Sequence, residues 1–279
     1  MPIAHMDVNL WVILFFGGIV GFLSGLVGVG GGFLITPLLI FVGLPPIVAV
    51  ATGSAQIAGT SAGASYAHWR LGNVDIKIAL VLLAGSWLGG GGVFVAQALQ
   101  QSGQFGNIVT FLYVVLLGII GTTMLIESLN AIRRRGQAAP QKAAAKDGQG
   151  SRLSRLAAQL PWQMDFPVSG LRISILIPIL LGGGVGVLTS LMGVGGGFIM
   201  VPVMIYFLKM PTKIVVGTSL FQLLFTTAAV SVMQAGVNHA VDPFLALVLI
   251  FGSAFGTQWG TRMGTRLPAE KLRLILALV

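Results

Sequence analysis

The chain has 279 residues, of which 55% are hydrophobic and only 8% are charged. A soluble domain averages about 25% charged residues, so this composition cannot cover a surface that faces water. It excludes a soluble enzyme and a nucleic-acid-binding domain, although the formal net charge is +9. The chain has no cysteine, which excludes disulfides and thiolate metal sites. We therefore predict an integral membrane protein, whose basic residues report its topology.

Ten apolar segments follow one another in two groups. The first group is 10–27, 33–44, 47–68, 75–99 and 107–128, and the second is 172–192, 198–208, 212–235, 241–261 and 268–279. Segments 33–44 and 198–208 are too short to cross a hydrocarbon core of about 30 Å at about 1.5 Å per residue. Each follows a glycine cluster, which predicts a hairpin that enters the membrane and returns to the same side. The last segment is also short, which leaves a C-terminal truncation open.

A polar stretch separates the two groups and predicts a domain boundary. Residues 131–170 are rich in Ala and Gln and carry seven basic residues, which indicates a solvated linker between membrane repeats at 8–130 and 171–279. A short amphipathic piece is expected within it at Leu153–Leu160. With this linker in the cytoplasm, all sixteen basic residues fall on the cytoplasmic side. The N-terminus is then predicted to be periplasmic.

The two groups are copies of one another. A shift of 165 residues superimposes the GVGGGF motif at 28–33 on the same motif at 193–198. The predicted topology places the turn at Pro46 outside and its counterpart at Pro211 inside, so the copies have opposite orientations. The predicted fold is all-α and polytopic, with two inverted repeats, each a glycine-broken hairpin followed by three spans. Such repeats are typical of secondary transporters, whose substrate lies near the membrane midplane.

The repeated residues also carry a family resemblance. The signature GLVGVGGGFLITPLL at 25–39, its echo SLMGVGGGFIMVPVM at 190–204, and the later ATGSAQ at 51–56 and VGTSLFQ at 216–222 resemble the sulfite exporter TauE/SafE family of membrane permeases. The resemblance implies export of small sulfur-containing or organic anions, such as sulfite or a sulfonate of the sulfoacetate class. It also implies a bacterial inner membrane as the location.

The glycine clusters are the first candidate substrate site. Successive glycines allow backbone N–H groups to converge on an anion at the start of a helix. The alternative is that the glycines only permit close helix packing. The candidate glycines are Gly28, Gly30, Gly31 and Gly32 in the first repeat and Gly193, Gly195, Gly196 and Gly197 in the second.

Polar side chains that follow the hairpins are the second candidate. Ser54 and Gln56 match Ser219 and Gln222 across the repeat, and their amides and hydroxyls are predicted to donate to substrate oxygens. The alternative for hydroxyl groups is a bond to their own helix backbone. That alternative is favoured for Thr52 and for its counterpart Thr218.

Charged residues within the segments are few. His68 and Arg70 lie at the predicted cytoplasmic end of a helix, where they either guide an anion inward or anchor the helix at the interface. Asp75 and Asp242 lie at the starts of segments and are predicted to cap helices. No catalytic arrangement and no metal-ligand spacing is present, so we expect no enzyme activity, no metal and no cofactor.

The sequence favours a secondary transporter that exports an anion by alternating access. A passive anion channel and a permease for another small carboxylate-type anion are the alternatives. The expected partners are a small anionic substrate and the lipid bilayer, with no nucleic acid. The identity of the anion, the coupling ion and the choice between monomer and homodimer stay open at this stage.

Overall fold

The computed structural model describes residues 10–27, 32–134, 161–208 and 210–264. The first half contains six helices: α1 (Leu10–Val27), α2 (Gly32–Phe41), α3 (Pro46–Arg70), α4 (Ile76–Gly89), α5 (Gly92–Gln101) and α6 (Phe105–Arg134). The second half begins with two strands, β1 (Gln163–Phe166) and β2 (Leu171–Ser174). It continues with α7 (Leu176–Met192), α8 (Gly197–Pro202), a π-helical turn (Val203–Phe207), α9 (Thr212–Val237) and α10 (Pro243–Gly264).

Several helices have the length and hydropathy of membrane spans. Among the described residues these are Ile76–Gln101, Ile214–Val237 and Pro243–Gly260, with shorter apolar helices at Leu10–Ser24, Phe105–Ile119 and Leu176–Met192. Large apolar side chains point outward on several of these helices, including Trp11, Leu88, Leu180, Val232 and Trp259. So much exposed apolar surface is unfavourable in water and fits a protein surrounded by lipid.

Helix α3 is the least apolar of the long helices, and it lies at the centre of the fold. Every residue from 48 to 54 is buried, including Thr52 and Ser54. The helix packs chiefly against α9, which occupies the matching position in the second half. Because neighbouring helices rather than lipid surround α3, it can carry hydroxyl and amide side chains at membrane depth.

Each half packs its first helix against the other half. Helix α1 packs on α10, and α7 packs on α4. A Cβ atom at Gly21 would overlap the backbone carbonyl of Ser253, and a Cβ atom at Gly186 would overlap that of Ser86. Gly21 and Gly186 are equivalent in the sequence repeat, and so are Ser253 and Ser86, so the two contacts correspond to one another. Glycine is therefore required at both positions because two helix backbones approach directly.

Two of the predicted segments differ in detail from the expectation. The predicted single span 75–99 is divided into α4 and α5 at Gly90–Gly91, where the N–H of Gly91 donates to the carbonyl of Leu88 at 3.4 Å. The short segment 198–208 combines the six residues of α8 with the π-helical turn that follows Pro202. Proline removes one backbone donor and disturbs the regular helical ladder, which accounts for the change of winding there.

A β-hairpin occupies residues that were predicted to be solvated linker. Strands β1 and β2 pair antiparallel, and Phe166 lies opposite Leu171. Phe166 is fully buried against the helices, and Ser169 in the turn is also buried. The expectation of an all-α chain with a linker through residue 170 is therefore wrong for 161–170, because apolar packing folds this stretch. Residues 135–160, with the piece predicted at Leu153–Leu160, and the segment 268–279 lie outside the described residues.

Candidate functional site

The second glycine cluster forms a buried loop between α7 and α8. Gly193, Gly195 and Gly196 have positive φ angles of 69°, 72° and 74°, which other residues adopt only with strain. A Cβ atom at Gly193 would lie 2.5 Å from the carbonyl oxygen of Val50, and one at Gly196 would overlap Val185. Backbone conformation and close packing thus both require glycine at these positions.

The first glycine cluster is described only at its end. Gly28, Gly30 and Gly31 lie outside the described residues, and Gly32 is the first residue of α2. Its counterpart Gly197 is the first residue of α8. In both repeats a short helix therefore begins at the last glycine of the motif.

The buried glycine loop passes between α3 and α9. A Cβ atom at Gly195 would lie 3.2 Å from Ile57 Cδ1 on α3 and 3.0 Å from Leu223 Cδ2 on α9. Ile57 follows Gln56 in the sequence, and Leu223 follows Gln222. The structure thus brings the glycine motif of the second repeat next to the segments that carry both predicted glutamines.

The first hairpin reaches the same region of α3. A Cβ atom at Gly53 would lie 2.8 Å from Thr36 Oγ1 of α2 and 3.9 Å from the carbonyl oxygen of Gly193. The Tyr113 hydroxyl donates to the carbonyl of Met192 at 2.6 Å, which ties α6 to the end of α7 beside this loop. The short helix α2 and the glycine loop that precedes α8 therefore converge on the middle of α3.

Gln222 is fully buried, and its amide group has a fixed orientation. The Nε2 atom donates to Ser86 Oγ at 2.7 Å and to Thr226 Oγ1 at 3.5 Å. The Ser86 hydroxyl itself donates to the carbonyl of Leu82 at 2.9 Å, so toward Gln222 it can only accept. The Oε1 atom of Gln222 has no hydrogen-bond partner among the described residues.

Gln56 repeats this feature in the first half. The side chain is 1% exposed, and its Oε1 atom also lacks a partner within the described parts of the chain. The sequence pattern predicts that both amides donate to substrate oxygens. For Gln222 the donating nitrogen is already engaged with Ser86 and Thr226, and the unengaged atom is an acceptor.

The two candidate serines bond to their own helices. The Ser54 hydroxyl donates to the carbonyl of Val50 at 3.0 Å, and the Ser219 hydroxyl donates to that of Val216 at 3.0 Å. Both side chains are buried, and Ser219 is three residues from Gln222 on α9, whereas Ser54 is only two residues from Gln56 on α3, a spacing at which helix side chains do not face each other. Their hydroxyl hydrogens are used within the helix, and their oxygens can still accept.

The threonines join the two halves, which the sequence did not predict. Thr52 Oγ1 accepts a hydrogen bond of 3.1 Å from the backbone N–H of Asp242, and Thr218 Oγ1 accepts one of 3.0 Å from that of Asp75. The helix-capping prediction for both aspartates is confirmed. Asp75 accepts from the N–H of Ile78 at 3.3 Å, and Asp242 accepts from that of Leu245 at 3.1 Å.

His68 and Arg70 lie in the last turn of α3, away from the glutamines. His68 is half-buried and its Nδ1 atom has no partner among the described residues, whereas Arg70 is exposed. No group of three or more His, Cys, Asp or Glu that can hold a metal ion occurs in the described ranges.

A groove of about 590 Å³ opens between the α4–α5 junction and α9, and Gln222 is not among its lining residues. Its walls are mostly apolar, and its polar lining residues include Ser86 and Thr226, the two partners of the Gln222 amide. Neither Ser86 nor Thr226 is among the site residues predicted from the sequence. The pairing of Gly85-Ser86 with Gly252-Ser253 across the repeat was the available signal for Ser86.

Comparison with known proteins shows that the chain is similar to membrane transporters. The family model described as "Sulfite exporter TauE/SafE" matches residues 13–279. The chain is 27% identical over 245 residues to "Probable membrane transporter protein YjnA" of Bacillus subtilis (strain 168), covering 86% of this chain and 85% of that protein. It is 29% identical over 252 residues to "Probable membrane transporter protein YunE" of the same organism, covering 87% and 84%.

A third relative comes from another genus. The chain is 28% identical over 246 residues to a "Probable membrane transporter protein" of Xylella fastidiosa (strain 9a5c), covering 88% of this chain and 80% of that protein. No solved structure matches the chain at a significant level. The family model covers nearly the whole chain, and the predicted absence of enzyme activity agrees with these transporter names. The chain belongs to the sulfite exporter TauE/SafE family and is a membrane transporter rather than an enzyme.

Proposed function

We propose that this transporter exports small sulfur-containing anions, sulfite-like or sulfonate-like, from the cytoplasm by alternating access. The substrate lies between the central helices α3 and α9, near the glycine motifs and beside Ser54, Gln56, Ser219 and Gln222. The family description supplies the sulfur-containing class. The burial of these polar side chains at the centre of the fold supports the position.

The observation that carries the proposal is the reciprocal packing of the two halves. Helix α1 packs on α10 as α7 packs on α4. Thr52 on α3 and Thr218 on α9 each accept a hydrogen bond from a backbone N–H group of the opposite half. These paired contacts support two repeats of inverted topology around a central α3–α9 pair. A rocking motion of one repeat against the other would then expose the site to each side in turn.

The glycine motifs have a supporting role in this proposal. The proposed site includes Gly32, Gly193, Gly195, Gly196 and Gly197, together with Gly28, Gly30 and Gly31, which lie outside the described residues. In the second repeat the glycines allow the chain to turn within the protein, where irregular backbone is tolerated. Helix α2 and the glycine loop before α8 lie against the middle of α3, and backbone N–H groups at the starts of the short helices are the proposed anion donors.

The cytoplasm is the proposed side of substrate access. His68 and Arg70 at the end of α3 guide the anion, and residues 131–170 lie on the same side of a bacterial inner membrane. The N-terminus is then periplasmic. An inside-negative potential favours outward movement of an anion by about 2.3 kcal/mol per charge at about 100 mV, so export does not require a coupling ion.

Counterflow in proteoliposomes tests the proposal. The full chain is reconstituted, loaded with unlabelled sulfite or ethanesulfonate, and exposed to a trace of the labelled anion. Saturable, transient accumulation of label is expected for a carrier. Ohmic single-channel current without counterflow would instead identify the alternative, a passive anion channel.

Ligand-induced thermal stabilisation tests the substrate class separately. Sulfite, alkanesulfonates and matched small carboxylates are compared with the detergent-solubilised protein. Stabilisation by the sulfur-containing anions is the expected result. Stabilisation only by carboxylates would favour the second alternative, a permease for another small anion, and would remove sulfur from the substrate class.

A further inference from the structure

Two buried acceptor atoms lie at equivalent positions in the two repeats. The Oε1 atoms of Gln56 and Gln222 have no hydrogen-bond partner among the described residues, and the two side chains are 1% and 0% exposed. An amide oxygen removed from water without a donor is costly, and buried polar atoms in proteins are nearly always paired. A donor from outside the protein would satisfy both oxygens.

The hydrogen bonds around Gln222 orient its amide nitrogen toward Ser86 and Thr226. Ser86 donates its hydroxyl hydrogen to Leu82, so it requires a donor from Gln222. Exchanging the amide oxygen and nitrogen would place two acceptors against each other at 2.7 Å. The local packing therefore keeps the oxygen of Gln222 as the free atom.

A free acceptor oxygen repels the oxygens of an anionic head group. A sulfonate or sulfite group without hydrogens offers only acceptors, so it gains nothing from these two atoms. An anion that also carries an O–H or N–H group satisfies them and can still meet backbone N–H groups with its charged end. The groove lined by Ser86 and Thr226 lies on the side of the amide nitrogen of Gln222, and Gln222 is not among its lining residues.

We propose that the transported molecule joins an anionic head group to its own hydrogen-bond donor, a hydroxyl group or, in a zwitterion, an ammonium group, and that the side-chain oxygens of Gln56 and Gln222 accept it. This inference rests on the proposed anion transport and narrows its substrate class to donor-bearing anions. Gln56 and Gln222 thus determine specificity through their carbonyl oxygens.

A series of probes of nearly equal size tests this inference on the unaltered full chain. Propanesulfonate, 2-hydroxyethanesulfonate and 2-aminoethanesulfonate share a head group and differ in a terminal methyl, hydroxyl or ammonium group. Sites built to bond a substrate donor reject the analogue that lacks it, so the hydroxyl and amino probes are expected to bind at least about tenfold more tightly. Calorimetric titration in detergent, repeated with Na⁺ and with choline, measures the three dissociation constants.

Variants then assign the preference to the two glutamines. Gln56→Met and Gln222→Met keep the length of the side chain and remove the acceptor, so each is expected to reduce the ratio between donor-bearing and methyl probes. Gln234→Met is the matched control on α9. Gln234 is also fully buried, but its amide donates to the carbonyl of Ser190 and its oxygen accepts from Asn238. This control is expected to keep the ratio of the unaltered chain.

The outcomes separate this inference from the proposed function. Equal binding of all three probes would overturn the donor requirement while leaving anion transport intact. Binding that depends on Na⁺ and not on the donor would assign the two oxygens to a cation and also overturn it. Failure of every anion to bind would overturn the proposed function itself. The probe series on the unaltered chain decides the donor requirement even where a variant fails to fold.

Discussion

The hydroxyl of Thr218 on α9 accepts a hydrogen bond of 3.0 Å from the backbone N–H of Asp75, the residue that caps α4. The same relationship recurs between Thr52 on α3 and Asp242 before α10, at 3.1 Å. Each central helix thus holds the start of a helix from the opposite half. Residues 143 and 190 positions apart are joined in this way.

These paired bonds predict matched effects on stability. Thr218→Val and Thr52→Val each leave a buried N–H group without its acceptor, which costs about 1–3 kcal/mol. Thr→Ser at either position keeps the acceptor and is expected to lose much less. Thermal unfolding in detergent measures the four variants. A loss in only one half would contradict equivalent roles for the two bonds.

Helix packing predicts a sharp contrast between two neighbouring glycines on α7. A Cβ atom at Gly186 would overlap the carbonyl of Ser86, whereas one at Gly184 meets no heavy atom within 4 Å. Gly186→Ala is expected to destabilise the protein by about 1–3 kcal/mol through overpacking. Gly184→Ala is expected to be neutral or to stabilise it by up to about 1 kcal/mol through helix propensity.

The same contrast is expected on α1. Gly21 approaches the carbonyl of Ser253, while the nearest atom to a Cβ at Gly18 is the carbonyl oxygen of Gly252 at 3.9 Å. Gly21→Ala is therefore expected to resemble Gly186→Ala, and Gly18→Ala is expected to be tolerated. Melting temperatures and yields of monodisperse protein test all four variants. Similar losses at every position would show that close approach is not the cause.

The β-hairpin is held to α4 by a buried carboxylate. Asp75 Oδ2 accepts from the Ser169 hydroxyl at 2.5 Å and from the Ser169 N–H at 3.0 Å. Ser169→Ala removes the first of these bonds, and bonds to charged groups contribute about 1.5–3 kcal/mol. We expect a lower melting temperature and faster proteolysis near the hairpin.

Val168 provides the control for that substitution. It precedes Ser169 in the same turn, and 45% of its side chain is exposed. Val168→Ala removes exposed apolar atoms and no hydrogen bond, so it is expected to leave both measurements unchanged. Equal sensitivity of the two variants would indicate a mobile turn rather than a bonded one.

The proposed cytoplasmic access route predicts an effect that depends on salt. Arg70→Gln removes an exposed positive charge at the end of α3. We expect the apparent KM for an anion to rise about threefold or more at low ionic strength, because charge attracts the substrate, and to approach the unaltered value at high salt. Arg262→Gln, which alters an exposed charge on another helix, is the control. Equal effects of both variants would indicate a general surface potential.

Local sequence patterns predicted much of the architecture. Hydropathy identified most of the helices. An aspartate at the start of an apolar segment predicted the helix caps at Asp75 and Asp242. Apolar length and helix capping depend on residues close together in the chain, so these features can be predicted without a fold. The division of the span 75–99 and the hairpin at 163–174 were missed because Gly90 and Phe166 take their roles from distant neighbours.

The sequence by itself determined that this protein is a membrane transporter of internally repeated design, because composition and repetition are written along the chain. Only the tertiary structure decided which atoms of its polar residues are engaged. The repeat aligned Gln56 with Gln222 but did not reveal that Ser86 fixes the Gln222 amide and leaves its oxygen free. A hydrogen bond between residues 136 positions apart depends on the packing of α4 against α9. That packing depends on several folded helices at once, so no local sequence pattern predicts it.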